Sequence, residues 1–179
     1  MTWSAGQKEF MPLLMAFYCL SGPPQNVVNR KEYEYIILEE PEMGLHPLAI
    51  QTIILQMIEF IHAGYKVIVS THSPVLLEFV WAYNYLKSIP EDKRVGALCE
   101  VFGMQSSKKY NLNFLNDIYE KDIKTYYFSR DTSGKVKAKD ISSLDVYSED
   151  VAINEWGGLT QFSSKANEVV SKYMAQYGE

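Results

Sequence analysis

Two carboxylates stand directly after an apolar run, at Glu39 and Glu40. Residues 35–38 read Tyr-Ile-Ile-Leu, and the run stops at these two acids. An acid at the carboxyl end of a strand can hold Mg²⁺, directly or through the water shell of the ion. A second carboxylate can orient or deprotonate an attacking water, and successive strand residues point to opposite faces. The pair is therefore a candidate hydrolytic centre, although it also fits a solvated strand end before a turn.

A histidine ends a second apolar run. Residues 66–71 read Lys-Val-Ile-Val-Ser-Thr, and His72 follows them. An imidazole at a strand end can donate a hydrogen bond to a phosphate oxygen, but a lone histidine there also suits a cap or a core position. His46 and His62 are interpreted as structural. His46 lies in the loop after the acids, and His62 ends a predicted helix, where the helix dipole favours a cation.

Ser4, Gly6 and Gln7 open the first amphipathic segment of the chain. The amino end of a helix attracts phosphate, a serine adds a hydroxyl, and a glycine permits close approach of a ligand to the backbone. Ser4 with Gln7 three residues later also fits a capping box. By itself the segment is therefore compatible with ordinary helix capping.

The elements that must position these residues alternate between helix and strand. The apolar spacing predicts a helix at 4–20, a strand at 34–38, a helix from 47 to 63, a strand at 65–70 and a helix at 74–87. Pro12 should kink the first helix or cost it a hydrogen bond. This alternation predicts an α/β fold with a mainly parallel sheet covered by helices. Ligands bind beyond the carboxyl ends of the strands in such sheets, which is where both acids and His72 are expected.

The pattern weakens beyond residue 88. A short helix is predicted to carry the apolar residues between 95 and 102, and residues 105–113 are predicted to be a loop. Residues 124–130 and 135–139 flank Asp-Thr-Ser-Gly, which predicts a β-hairpin, and an apolar stripe from 166 to 177 predicts a terminal helix. We therefore expect residues 1–103 to carry the candidate site, and residues 104–179 to form a hairpin and helix extension of the same domain.

The composition is that of an ordinary globular protein. The 179 residues are 47% hydrophobic and 22% charged, with a net charge of -5, which disfavours a generic basic surface for nucleic acid. Cys19 and Cys99 form no metal-type spacing and favour reduced thiols in an intracellular protein. The amino terminus has no signal-peptide pattern, and no apolar run is long enough for a membrane span. We expect a soluble, cytoplasmic chain with no membrane partner.

Four motifs occur in one order along the first part of the chain. They are Ser-Ala-Gly-Gln at 4–7, Ile-Ile-Leu-Glu-Glu-Pro-Glu at 36–42, Leu-His-Pro at 45–47 and Val-Ser-Thr-His-Ser-Pro at 69–74. Over about residues 3 to 80 this set resembles the carboxyl-terminal half of an ABC-type ATPase head. It is similar to AAA-like ATPases related to the overcoming-lysogenization-defect (OLD) nucleases and to SMC-type heads. The resemblance implies a P-loop NTPase-like, ABC-type lobe that uses ATP and Mg²⁺.

The resemblance also implies a role for each matching residue. Ser4, Gly6 and Gln7 match the signature motif that contacts nucleotide, and residues 42–46 occupy the D-loop region. Glu39 matches the Walker B acid that serves Mg²⁺. Glu40 matches the catalytic glutamate, and His72 matches the switch histidine. Two positions depart from the family pattern. Glu39 stands where an aspartate is usual, which adds one methylene before the metal, and Ala5 replaces a glycine of the signature.

One component of such a site is missing from the sequence. No segment matches Gly-x-x-x-x-Gly-Lys-Ser/Thr, the P-loop whose backbone amides and lysine cradle phosphates. In heads of this kind the P-loop precedes the signature. The resemblance therefore implies a missing amino-terminal half or a second ATPase head as partner, and it is compatible with a homodimer and with DNA contact through the full-length protein. We expect this chain alone to be inactive as an ATPase.

Two other functions stay open. The first is a non-catalytic interaction module that keeps the ATPase-like fold, and the absent P-loop favours it. The second is a metal-dependent nuclease that uses Glu39, Glu40 and aspartates, although the carboxyl-terminal part of the sequence has no compelling acid cluster.

Overall fold

The computed structural model describes residues 5–21, 33–104 and 112–177. The elements are α1 (Ala5–Ser21), β1 (Tyr35–Glu39), α2 (Pro47–His62), β2 (Lys66–Ser70), α3 (Pro74–Leu86), α4 (Glu91–Val101), α5 (Asn113–Asp117), β3 (Tyr126–Arg130), β4 (Val136–Asp140), α6 (Val151–Asn154) and α7 (Gln161–Tyr177). They divide into two compact units, which are Met1–Leu76 with Tyr85–Lys121 (unit 1) and Leu77–Asn84 with Asp122–Glu179 (unit 2). The division at residue 103 that the sequence suggested stays a prediction.

A pair of parallel strands forms the sheet of unit 1. The register of β1 and β2 runs from Tyr35 opposite Lys66 to Glu39 opposite Ser70. Parallel strands need a crossover connection, and α2 lies between them in the chain. The mixed α/β class is confirmed. Of the mainly parallel sheet that the sequence predicts, the described residues contain this one parallel pair.

Helix α2 supplies more buried residues to the core of unit 1 than any other described element. It begins with Pro47 in the first turn, and the preceding His46 accepts a hydrogen bond from the backbone of Leu48 at 3.3 Å. The predicted apolar stripe is confirmed from Ile50 to Ile58, and Phe60 is buried in addition. Burying this stripe holds the helix in place, because helices of this length gain most of their stability from packing.

Strand β1 buries only one of its faces within the described residues. Ile36 and Leu38 are buried, whereas Ile37 is 67% exposed and Ile68, its register partner, is 51% exposed. The sequence predicts a buried strand because apolar residues occupy both faces. That prediction is right for one face, and the other face presents Ile37 and Ile68 to solvent.

Helices α4 and α5 complete unit 1. Leu98 and Cys99 of α4 are buried, and burial raises the pKa of the Cys99 thiol. A short 3₁₀ turn at Ile118–Glu120 follows α5. At the end of α2, His62 Nδ1 lies 2.6 Å from Asp117 Oδ2. The structural interpretation of His62 therefore gains a specific partner in α5.

The hairpin predicted from the sequence is the sheet of unit 2. Strands β3 and β4 pair antiparallel, with Tyr126 opposite Asp140 and Arg130 opposite Val136. Asp131 Oδ1 organises the turn by accepting hydrogen bonds from the backbone of Ser133 at 2.9 Å and of Lys135 at 3.1 Å. The Ser133 hydroxyl also donates to Asp131 Oδ1, and this bond lowers the pKa of Asp131 most. The two backbone hydrogen bonds lower it further.

A small apolar cluster holds unit 2 together. Its buried members are Leu77, Ile141, Leu144 and Trp156. Trp156 Nε1 donates to the backbone oxygen of Leu144 at 3.0 Å, so the indole is both buried and hydrogen-bonded. The next residue, Gly157, has φ +70°, and a Cβ there would lie 2.6 Å from the Tyr127 ring. The turn that closes the cluster therefore requires glycine.

The terminal helix predicted from the sequence is confirmed as α7. None of its residues is buried, and the side chains of Phe162 and Tyr173 are exposed. The prediction of an apolar stripe is therefore right for the helix and leaves the stripe uncovered within the described residues. No helix in the described ranges combines the length and the apolar character needed to cross a bilayer.

Replacing Asp150 is expected to destabilise unit 2 in a pH-dependent way. Asp150 Oδ1 caps α6 by accepting from the backbone of Ala152 at 3.0 Å, and Oδ2 pairs with Lys139. The hydrogen bond from Lys139 holds the pKa of Asp150 below its ordinary value. Because the folded pKa lies below the unfolded value of about 3.9, the stabilisation is present above about pH 4. It is lost as pH falls through the folded pKa.

Thermal unfolding followed by circular dichroism tests this pH dependence. Asp150→Asn should lower Tm at pH 7 by more than it does at an acid pH below the folded pKa of Asp150, where the wild-type carboxyl is protonated as well. The exposed Glu149→Gln provides the neighbouring control and should change Tm little at either pH. An Asp150→Asn effect that is equal at both values would contradict the assigned charge pairing.

Candidate functional site

The carboxyl ends of β1 and β2 lie side by side, and Glu40 and His72 meet there. Strand pairing ends with Glu39 opposite Ser70, and one residue later the backbone of Glu40 donates to Ser70 oxygen at 2.9 Å. His72 Nε2 lies 3.4 Å from Glu40 Oε1. The two residues to which the sequence gives catalytic roles therefore form a carboxylate–imidazole pair at one edge of the sheet.

The pair faces solvent. The side chain of His72 is 83% exposed and that of Glu40 is 40% exposed. An exposed pair of this kind contributes little to stability, so a gain in folding free energy does not account for the arrangement. An exposed acid and an exposed imidazole at the carboxyl edge of a parallel sheet are both accessible to a ligand bound there.

The backbone of Glu40 is in an unusual conformation. Its φ is +42°, in the left-handed region that residues with a Cβ seldom adopt. A hydrogen bond from the backbone of Met43 to Glu40 oxygen at 3.0 Å closes the turn that follows. Such a conformation costs on the order of 1–2 kcal/mol and tends to occur at functional sites. The chain therefore turns sharply at the residue that carries the candidate catalytic carboxylate.

Glu42 joins the loop after β1 to the loop after β2. Its Oε1 accepts a hydrogen bond from the Thr71 hydroxyl and another from the backbone of His72 at 3.1 Å. Its Oε2 is buried and accepts no hydrogen bond from the described residues. Sequence reasoning placed Glu42 only in the D-loop region. The sequence held no signal for this contact, because the partners lie 29 and 30 residues away.

Glu39 is the exposed last residue of β1. Within the described ranges, no group of three or more histidine, cysteine, aspartate or glutamate side chains forms a ready-made metal site. Mg²⁺ does not require such a group, because it commonly takes one or two carboxylates together with phosphate oxygens and water. The accessible carboxylate of Glu39, one residue before Glu40, is therefore of the type that a magnesium ion shared with a phosphate ligand requires.

The predicted signature residues lie at the start of the chain. Ser4 lies outside the described residues, and Gly6 and Gln7 lie in the first turn of α1. Helix α1 runs through Pro12 without ending. It is anchored near its end by Phe17, which is buried and packs edge-on against Phe60 of α2 with ring centroids 5.3 Å apart. Gly6 and Gln7 therefore lie at the amino end of a helix, and their role in a signature motif stays a prediction.

Comparison with known proteins places the candidate site residues in one matched region. Residues 2–78 match the family described as AAA domain, putative AbiEii toxin, Type IV TA system. A stretch of 82 residues is 29% identical to the Old nuclease of Escherichia phage P2, and it covers 46% of this chain and 14% of that protein. The search of solved structures gave no significant match. The part of the chain that carries every candidate site residue is therefore the part that is similar to an AAA domain family.

Proposed function

We propose that this chain supplies the signature motif, the Walker B acids and the switch histidine of an ABC/AAA-type ATPase. The P-loop would come from outside these 179 residues, in an amino-terminal segment or in a partner head. The observation that carries the proposal is the approach of His72 Nε2 to Glu40 Oε1, 3.4 Å apart, at the carboxyl edge of a parallel strand pair. The relation of residues 2–78 to AAA domains supports the same assignment.

In the proposed reaction Glu40 and His72 have separate tasks. Glu40 orients a water and accepts its proton, as a carboxylate at a strand end can do. His72 donates a hydrogen bond to the terminal phosphate of the nucleotide. Its contact with Glu40 is long and exposed. Exchanging Glu40 for a phosphate oxygen as the hydrogen-bond acceptor of the imidazole therefore costs little free energy.

Glu39 and the start of α1 have binding roles. Glu39 would hold Mg²⁺, which when bound neutralises phosphate charge. Ser4, Gly6 and Gln7 would contact the nucleotide across an interface, since a helix amino end attracts phosphate. A second head, which in the simplest case is another copy of the full-length protein, would provide that nucleotide.

Hydrolysis assays with and without a P-loop-bearing partner test the proposal. The pure 179-residue chain should hydrolyse ATP at background rates, because nothing in its sequence cradles the phosphates. The full-length protein, or the complex that copurifies with a P-loop protein, should hydrolyse ATP when Mg²⁺ is present. Robust hydrolysis by the pure chain would refute the dependence on a P-loop. A complete assembly without hydrolysis would refute the ATPase assignment.

A second candidate is the non-catalytic interaction module. The uncovered sheet face favours it, because Ile37 and Ile68 are register partners and both are exposed. Large exposed apolar surface commonly marks an interaction site. Copurification of a partner that lacks a P-loop, together with full biological activity of Glu40→Gln, would favour the module over the enzyme.

A further inference from the structure

We propose that Glu42 is a positioning residue that sets the approach of His72 to Glu40. This inference rests on the function proposed for the same site and adds a residue to it. Glu42 is not part of the carboxylate–imidazole pair. It acts through the backbone and the neighbouring side chain of the loop that carries His72.

Glu42 holds the His72 loop with a single oxygen. Its Oε1 accepts from the backbone N–H of His72 at 3.1 Å and from the hydroxyl of Thr71. An ionised acceptor makes hydrogen bonds about twice as strong as a neutral one does. The main chain of the residue that bears the imidazole is therefore tied directly to a carboxylate from the other strand-end loop.

The same carboxylate is fixed at a set distance from Glu40. Glu42 lies two residues further along the turn that begins at Glu40. A backbone hydrogen bond from Met43 to Glu40 and another from Leu45 to Glu42, each 3.0 Å long, close that turn. The hydrogen-bonded turn links Glu40 to Glu42, and two hydrogen bonds link Glu42 to Thr71 and His72. Together these contacts restrict the distance between Glu40 and His72.

The hydrogen bonds continue from Thr71 to the start of α3. Thr71 Oγ1 accepts from the backbone of Ser73 at 2.9 Å, and Ser73 Oγ accepts from the backbone of Val75 at 3.3 Å. Ser73 is buried. The Thr71 hydroxyl both donates and accepts a hydrogen bond, and the Ser73 hydroxyl accepts one in a buried position. These bonds hold the loop after β2 in place, and Glu42 is the first acceptor of the series.

The second oxygen of Glu42 distinguishes positioning from simple stabilisation. Oε2 is buried and receives no hydrogen bond from the described residues. A buried, half-satisfied carboxylate is a poor choice for stability alone, because its unpaired oxygen has lost solvation without compensation. What the carboxylate provides in return is the pair of hydrogen bonds that Oε1 accepts from the His72 loop.

Hydrogen exchange in the isolated full chain tests the geometry without any enzyme assay. In Glu42→Ala the His72 amide should exchange at least about tenfold faster, as loss of a hydrogen bond to a charged acceptor implies. The core amides of α2 should keep their rates. Glu42→Gln retains a neutral oxygen acceptor, so its His72 exchange rate should lie between those of the wild type and Glu42→Ala. Glu100→Ala, an exposed glutamate of α4, serves as the control.

Two results would overturn the inference at this stage. One is an unchanged His72 amide rate in Glu42→Ala. The other is a rise that the α2 core amides share equally, which would mean general destabilisation. Thr71→Val supplies an independent check. It removes the hydroxyl that donates to Glu42 and accepts from the Ser73 amide, but it leaves the hydrogen bond from the His72 amide to Glu42 in place. It should raise the exchange rate of Ser73 more than that of His72.

Kinetics of the assembled ATPase then separate this inference from the function on which it rests. Glu42→Ala should lower kcat while leaving KM for ATP nearly unchanged, and the kcat of Glu42→Gln should lie between those of the wild type and Glu42→Ala. Wild-type assembly without hydrolysis would refute the proposed function and leave the exchange result standing. Normal kcat in Glu42→Ala, with His72 exchange raised, would refute the positioning role alone.

Discussion

Replacing Glu40 by glutamine is expected to stop turnover of the assembled ATPase while nucleotide stays bound. Glutamine matches the size of glutamate, and its amide oxygen can still face His72, which lies 3.4 Å from the carboxylate in the wild-type protein. An amide cannot accept the proton of an attacking water. Because a positioned general base contributes about 10²–10⁴-fold to rate, hydrolysis should fall by that factor.

Single-turnover hydrolysis and retention of labelled nucleotide measure this effect. Glu100→Gln makes the same chemical change at an exposed position in α4 and should hydrolyse ATP like the wild type. Glu39→Gln should instead raise the Mg²⁺ concentration needed for activity, because it removes the proposed metal acid. Unchanged hydrolysis in Glu40→Gln would remove the catalytic role from Glu40.

Replacing Phe60 by alanine is expected to be the most destabilising single change in unit 1. Its ring is buried and meets Phe17 edge-on at 5.3 Å and Tyr65 edge-on at 6.1 Å. Removing a buried phenylalanine costs roughly 3–5 kcal/mol, because transfer energy is lost and a cavity remains. The packing of α1 should also loosen, since Phe17 anchors that helix against Phe60.

Urea unfolding followed by circular dichroism measures the loss. The same substitution at Phe162, which is 86% exposed, should change the free energy of unfolding by less than about 0.5 kcal/mol. Phe60→Leu, which keeps most of the volume, should cost less than Phe60→Ala. Equal losses for Phe60→Ala and Phe162→Ala would contradict the assignment of Phe60 to the core.

Periodicity predicted the elements well because one face of each is apolar. The 3.6-residue stripe from Ile50 to Ile58 gave α2, and the turn residues around Gly134 gave the hairpin. Periodicity could not show that Ile37 and Ile68 are exposed. A continuous apolar run is typical of a strand buried on both faces, and the sequence does not say whether the second face is covered by residues of the same chain.

The site was predictable where topology alone brings residues together. Parallel strands end at the same edge, so Glu40 and His72 were expected to be neighbours. Contacts that depend on side-chain reach were not predictable. The two bonds of Glu42 and the pairing of His62 with Asp117, 55 residues apart, need the three-dimensional path of loops and helix ends. The sequence also did not show that the apolar stripe of α7 is uncovered within the described residues. Periodicity predicts that a helix has an apolar face, but it does not say what packs against that face.

The left-handed backbone at residue 40 sets folding and activity against each other. At φ +42° a glycine or an asparagine would be accommodated more easily than a glutamate. Selection for thermal robustness alone would therefore move this position away from a carboxylate. A search for stabilised variants would be drawn to residue 40 early, and the variants that it returned would be hardier proteins without the acid that the proposed chemistry needs.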